Sequence, residues 1–154
     1  MPELPEVQTT VNGLQLIINK HIVSIKINTI KLRYFVPKNI NKAVDKRKIL
    51  KIYRVAKYIM IDLSNNNTLF FHLGMSGRIK LLKMFNYRNN KHDHILINLN
   101  NKNILVFNDP RKFGFIDVSH TSELKKKKYL LKLGLDPFED KLNVNYLLKK
   151  FQDQ

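Results

Sequence analysis

Near the start of the chain apolar positions recur at steps of three and four: Leu4, Val7, Val11, Leu14 and Ile18. That spacing lines one face of a helix and predicts one over residues 4–19. Pro5 and Glu6 suit its first turn, where a proline gives up no hydrogen bond and a carboxylate meets the positive end of the helix dipole. From Ile22 to Asp117 the period changes. HIVSIKINTI and ILKIYRV alternate apolar with polar, and YIMIDL, NTLFFHL, GRIKLLK, DHILINL and NILVF follow. Turn material such as SNNN, GMSG, NYRNNKH and NNK separates these runs. About seven short strands at roughly ten-residue spacing predict a sandwich or flattened barrel. After the lysine run 125–128 the pattern turns helical again. YLLKLGLDPF reads as a short helix closing near Gly134, and NVNYLLKKF, capped by Asn143, as the start of another. The expected fold class is α+β: an N-terminal helix packed on a two-sheet antiparallel β-sandwich, followed by the start of a helical segment. Leu4, Val7, Val11 and Leu14 are expected to lie against the sheets.

Composition narrows the function more than the fold. A chain of 154 residues suits one domain, or one domain plus part of a second. With no cysteine it has no disulfide framework, thiolate metal site or cysteine nucleophile. No apolar run reaches the roughly 18 residues that span a bilayer, and the start lacks the basic-then-apolar order of an export signal. A soluble cytoplasmic protein is the natural expectation. Twenty-eight Lys and Arg against twelve Asp and Glu give a net charge of +16. Such a field favours a polyanion, nucleic acid first among them. The competing explanation is a lysine-rich solvated surface, since abundant Lys, Asn and Ile are also what A/T-rich codons produce.

The first residues, MPELPEV, carry candidate chemistry. Methionine is normally trimmed when proline follows, which leaves Pro2 with a secondary α-amine. An α-amino group titrates near about 7.7–8.0, so a useful fraction is nucleophilic at neutral pH. Attack on a sugar's anomeric carbon gives a cationic iminium, an electron sink of the Schiff-base kind. Glu3 stands next to it to move protons. A Met-Pro start alone more often reflects processing only.

Four further stretches follow in order: RVAKYIMIDL, HLGMSGRI, KHDH and DPRKFGF. Together with MPELPEVQTT they resemble the formamidopyrimidine-DNA glycosylase family, and the tail LGLDPFEDKLNVNYL resembles that family's approach to its helical domain. The resemblance runs from residue 1 to about residue 151. It implies a base-excision repair enzyme that removes oxidised purines and cuts the strand by β,δ-elimination, with no metal or redox cofactor in the chemistry. It implies Pro2 as nucleophile, Glu3 as proton carrier and Lys57 as a phosphate-binding lysine close to the lesion. Glu6 resembles a buried family glutamate, with the helix-dipole role as the equal alternative. His72 and His92 are implied as backbone contacts. Met75, Arg111 and Phe113 are implied as the residues pushed into the duplex when the damaged nucleotide is extruded. Lys112 stands where the family commonly has a second arginine, and lysine keeps the charge without the bidentate fork. The partner implied is double-stranded DNA with oxidised purines or abasic sites, bound by a monomer in the bacterial cytoplasm near the nucleoid.

The domain expectation is a catalytic β-sandwich domain over 1–120 and the start of a helix–two-turn–helix domain over 121–154. The family continues into a zinc finger whose four cysteines are absent here, so the chain is expected to be truncated or a fragment. Two alternatives stay open: a non-catalytic basic DNA-binding remnant, and a small basic RNA- or ribosome-associated protein.

Overall fold

The computed structural model describes residues 3–131; the end of the helix expected to close near Gly134 and the helix expected from Asn143 lie outside the described residues, as does Pro2. Helix α1 spans Leu4–Leu14 and tightens into a 3₁₀ turn over Gln15–Ile17. It is followed by β1 (Ile22–Ile27), the short helix α2 (Ile40–Val44), β2 (Ile49–Val55) and β3 (Tyr58–Leu63). Then come β4 (Asn67–His72), β5 (Arg78–Lys83), β6 (Asp93–Leu99), β7 (Asn103–Asn108) and β8 (Phe115–His120). A 3₁₀ segment over Thr121–Lys126 leads into α3 (Lys128–Leu131).

The strands form two antiparallel four-stranded sheets, ordered β1-β6-β7-β5 and β2-β3-β4-β8. In β1 and β2 only Ile22 and Ile25, and Ile49, Ile52 and Val55, are buried, spaced by three because each strand shifts register near its start, whereas β3, β6 and β7 are buried on nearly every residue. Ile59, Ile61, Leu69, Phe71, Ile95, Ile97, Leu105 and Phe107 pack between the sheets in one core that also takes Val7, Val11 and Leu14 from α1. The rings of Phe71 and Phe107, one from each sheet, meet at 5.5 Å. A second apolar layer covers the outer face of the β2-β3-β4-β8 sheet, where Leu124 and Leu130 lie over Met60, Phe70 and Phe115. Tyr129 joins that layer, its hydroxyl donating to Asp117.

Three expectations need correction. Leu4 is exposed rather than packed, because Gln8 of the next turn already sits beside Arg54 near the end of β2. The first turn of the helix therefore overhangs the strand ends. Ile17, not Ile18, is the fully buried residue after Leu14, since a 3₁₀ turn advances three residues per turn rather than 3.6. The eighth strand, β8, and helix α2 were not expected: β8 begins directly after the Gly114 turn, and α2 is five residues long, too short to show a period.

Topology gathers the connections that matter at one end. In the register, Tyr58 faces His72 and His72 faces Phe115, while Asp93 faces Asn108 and Arg78 faces Asn108. The β2–β3 hairpin, the β4–β5 turn, the loop before β6 and the β7–β8 loop therefore share that end. The β4–β5 and β7–β8 connections both cross from one sheet to the other there.

Candidate nucleic-acid interface

Lys57 sits in the β2–β3 hairpin, half-buried, after Ala56 in the left-handed region at φ 51°. Arg54 braces this hairpin by donating to the Ala56 carbonyl at 3.0 Å and to Gln8 Oε1 at 2.8 Å, which ties α1 to the same end. His72 closes β4. Its ring meets Tyr58 edge-on at 4.8 Å and lies parallel to Phe115 at 5.6 Å. The Gly74 N–H donates to His72 Nδ1 at 3.0 Å, so that nitrogen is bare and the proton rides on Nε2. Burial above all, then the charges of Arg33 and Lys57, holds the imidazole below its usual 6.5. The result is a neutral ring N–H donor between two cations, a set suited to a phosphodiester oxygen.

Two loops beside it carry Met75 on one side and Arg111, Lys112 and Phe113 on the other. Asp109 straps them together. Its buried carboxylate accepts from Ser76 Oγ at 2.7 Å and from the Gly114 N–H at 2.8 Å. Ser76 Oγ in turn accepts from the Arg111 N–H at 3.1 Å. The Asp109 carbonyl lies 2.8 Å from His94 Nε2, which must donate, and His94 Nδ1 lies 2.7 Å from Thr29 Oγ1. The His92 carbonyl accepts the Asp109 N–H at 3.0 Å. Gly74 (φ +62°) and Gly114 let the two backbones touch: a Cβ on Gly74 would stand 2.5 Å from Gly114 N, and one on Gly114 2.5 Å from His72 O. Lys112 holds φ 60° in the turn closed by its N–H to the Asp109 carbonyl. That non-glycine strain, on the order of 1 kcal/mol, is stored in the loop itself.

What these straps display is exposed. Met75 is 42% and Phe113 44% accessible, and the Arg111 guanidinium lies 5.2 Å from the Phe113 ring centroid. Two apolar side chains are thus held in water beside cations, on turns rather than in a core, where exposed apolar groups more often serve contact than packing. A cleft of about 420 Å³ runs from Met75, Ser76 and Gly77 to Glu6 and Thr10 on α1, so the Met75 turn adjoins the first half of the helix. Glu6 is exposed, which corrects the buried reading implied for it; its carboxylate accepts the Glu3 N–H at 2.9 Å, in keeping with the helix-start role.

The structure thus brings Glu3, Lys57, His72, Met75, His92, Arg111, Lys112 and Phe113 to one end of the sandwich, on the register and bonds just given. His92 contributes its main chain to the strap and leaves its side chain half-exposed. Two residues went unassigned in the sequence. Asp109, the strap, could have been suspected from DP ahead of a glycine-bearing loop, but its partner Ser76 is 33 positions away. Arg33 lacks any local signal, and reaches the site because its N–H donates to the Gly114 carbonyl at 3.1 Å. Among the described residues no cluster of three or more His, Cys, Asp or Glu could hold a metal ion.

Residues 1–116 match the formamidopyrimidine-DNA glycosylase N-terminal domain. Among curated proteins, formamidopyrimidine-DNA glycosylase of Rickettsia bellii is 40% identical over 155 residues, covering 100% of this chain and 56% of that protein. The protein of the same name from Rickettsia conorii is 41% identical over 153 residues, covering 99% and 55%. The chain spans about half the length of the curated relatives it matches. Among solved structures, Lactococcus lactis Fpg in complex with DNA containing FAPY-dG superposes with a TM-score of 0.73 at 29% identity, over 84% of this chain and 48% of that one. The complex of the same protein with DNA containing an abasic site gives the same values.

Proposed function

The chain belongs to the formamidopyrimidine-DNA glycosylase family, and from that premise we propose that this end of the sandwich is the catalytic face of a base-excision DNA glycosylase and abasic-site lyase acting on oxidised purines. The observation that carries the reading is the strapped pair of loops, which spends a buried carboxylate and two close-packed glycines on holding Met75 and Phe113 out in solvent. A packed core gains nothing from that arrangement; a duplex with an extruded nucleotide does. Phe113 then wedges the stack, Met75 fills the vacated space and Arg111 bonds the orphaned base.

The chemistry proposed begins with removal of Met1. The freed Pro2 amine, one peptide bond from Glu3, forms a bond to the anomeric carbon as the bond to the damaged base breaks, and the base leaves with a proton delivered by Glu3. Opening of the sugar ring converts the adduct to an iminium. Loss of a proton from the neighbouring sugar carbon then feeds electrons toward the iminium nitrogen and expels the 3′ phosphate. A second elimination expels the 5′ phosphate, and hydrolysis returns the amine. Lys57 and His72 hold lesion-strand phosphates during these steps, and the other cations make binding fall steeply with salt.

Borohydride trapping on DNA with an abasic site tests this. The free-N-terminal chain is expected to form a reducible covalent adduct, and N-acetylated chain none; Pro2→Gly, a primary amine, retains part of it. Equal trapping by blocked and free chain would assign the nucleophile to a lysine. The net charge of +16 suits a second reading equally, a DNA-binding remnant without catalysis, which predicts bound DNA and no adduct.

A further inference from the structure

Residues 28–36, between β1 and α2, form an arch at the same end of the sandwich, of which only Arg33, the cation near His72, has been given a part so far. Its base is fixed. Leu32 and Val36 are buried in the main core, the Val36 N–H donates to the Ile30 carbonyl at 2.8 Å, and Lys31 pairs with Phe35 as an isolated bridge. Its crest is not covered: Phe35 is 66% exposed, Tyr34 42% and Ile30 70%. Cations alternate with the rings. Lys31 Nζ lies 5.1 Å from the Phe35 centroid, and the Arg33 guanidinium 5.5 Å from that of Tyr34. The Arg33 N–H bonds the Gly114 carbonyl, so the arch adjoins the Phe113 loop, and the Tyr34 ring rests edge-on against Phe115 at 4.8 Å.

We propose that this arch is a second DNA subsite, which stacks an unpaired nucleotide flanking the lesion on Phe35 and holds the adjoining phosphate with Arg33. The inference rests on the DNA-face reading above. Its own warrant is the pairing of exposed rings with cations. Phosphates of an intact duplex need the cations alone, because paired bases offer no ring face to a side chain at the surface. Single-stranded DNA offers both, and stacking platforms with interleaved cations are the way proteins take it. The rings are rigidly placed, since Leu32 and Val36 anchor the arch on both flanks, so little ordering is lost on binding. The proposed reaction creates such a substrate: removing the damaged nucleotide leaves a gap whose edges are free to unstack.

The test measures fluorescence anisotropy of the full chain with three duplexes. One carries a stable abasic analogue and is fully paired; the others have a one-nucleotide gap on one or the other side of the analogue. Phe35→Ala is expected to weaken binding to a gapped duplex on the order of tenfold and to leave the fully paired one nearly unchanged. Arg33→Gln weakens all three and lowers the salt slope by about one. Both side chains are exposed, so a thermal melt should show both variants folded. If wild type binds the paired duplex but Phe35→Ala has no effect, or the same effect on paired and gapped DNA, the arch proposal is overturned and the DNA face stands. If wild type binds no abasic duplex, the DNA face falls and the arch with it.

Discussion

Asp109→Ala separates the wedge from the chemistry. The substitution removes the acceptor from two donors, the Gly114 N–H at 2.8 Å and Ser76 Oγ at 2.7 Å. Gly114 is buried, and its orphaned N–H costs about 1–3 kcal/mol. Ser76 is half-buried and can turn toward water, so its loss is about 0.5–1.5 kcal/mol. The sum, about 1.5–4.5 kcal/mol, lowers Tm by roughly 3–18 °C for a domain of this size. Asp109→Asn retains an oxygen for Gly114 and should fall between wild type and Ala. The functional consequence is selective. With the strap cut, Met75, Arg111 and Phe113 lose their common placement, and misplacement of this order costs around a hundredfold. Trapping on a double-stranded abasic substrate should therefore collapse. Trapping on a single-stranded abasic oligonucleotide, which presents no stack to wedge, should hold close to wild type at a temperature where the variant is folded. A variant that melts with the wild type, or that loses both activities equally while folded, refutes the reasoning.

Three other outcomes follow from the geometry. Gly74→Ala forces a Cβ to within 2.5 Å of Gly114 N at φ +62°, and should cost about 2–4 kcal/mol and duplex activity together, whereas Gly13→Ala, with open space around its Cβ inside α1, should stabilise by about 0.5–1 kcal/mol in a urea titration. His72 has its pKa lowered in the fold, so the unfolded chain takes up this proton first; the contribution to stability is whole above about 6.5 and is lost as pH falls below it toward the folded value. Urea melts at pH 7.5 and 5.5 should show that acid loss reduced in His72→Gln, and an unchanged loss would remove His72 as its source. Ile17→Ala should cost about 2–5 kcal/mol and Leu16→Ala, at 75% exposed, no more than about 0.5, and the reverse order would show the 3₁₀ turn misplaced.

Legibility tracked the range of the interaction responsible. Alternation in IVSIKI and ILKIYRV is a local signal, and strands form there, but a register shift near the start of each sets burial three residues apart, which alternation does not report. The start of β8 was hidden because FGFID shares its first residues with a glycine turn, and its burial of Phe115, Ile116 and Val118 depends on pairing with β4. Leu4 obeys the helical period yet lies beyond the sheet it was expected to cover, since period specifies a face and not where the opposing surface ends. At the site, the motif residues were visible by type and order. The Ser76–Asp109 bond and the Arg33–Gly114 bond were not, because each joins residues far apart along the chain, and no spacing rule reports such a bond.

Both sheet-to-sheet crossovers that display the wedge lie at one end, so Met75 hangs from a loop entered from one sheet and Phe113 from a loop entered from the other. Sliding one sheet over its partner by a fraction of an ångström would move the two tips relative to each other, with every strand still hydrogen-bonded. The wedge is in this sense a gauge of core shear, and the Phe71–Phe107 contact is the stop that sets its zero. Loss of the proposed duplex-dependent trapping on heating or under pressure should then precede loss of secondary structure, and the interval between the two should widen when that stop is shaved.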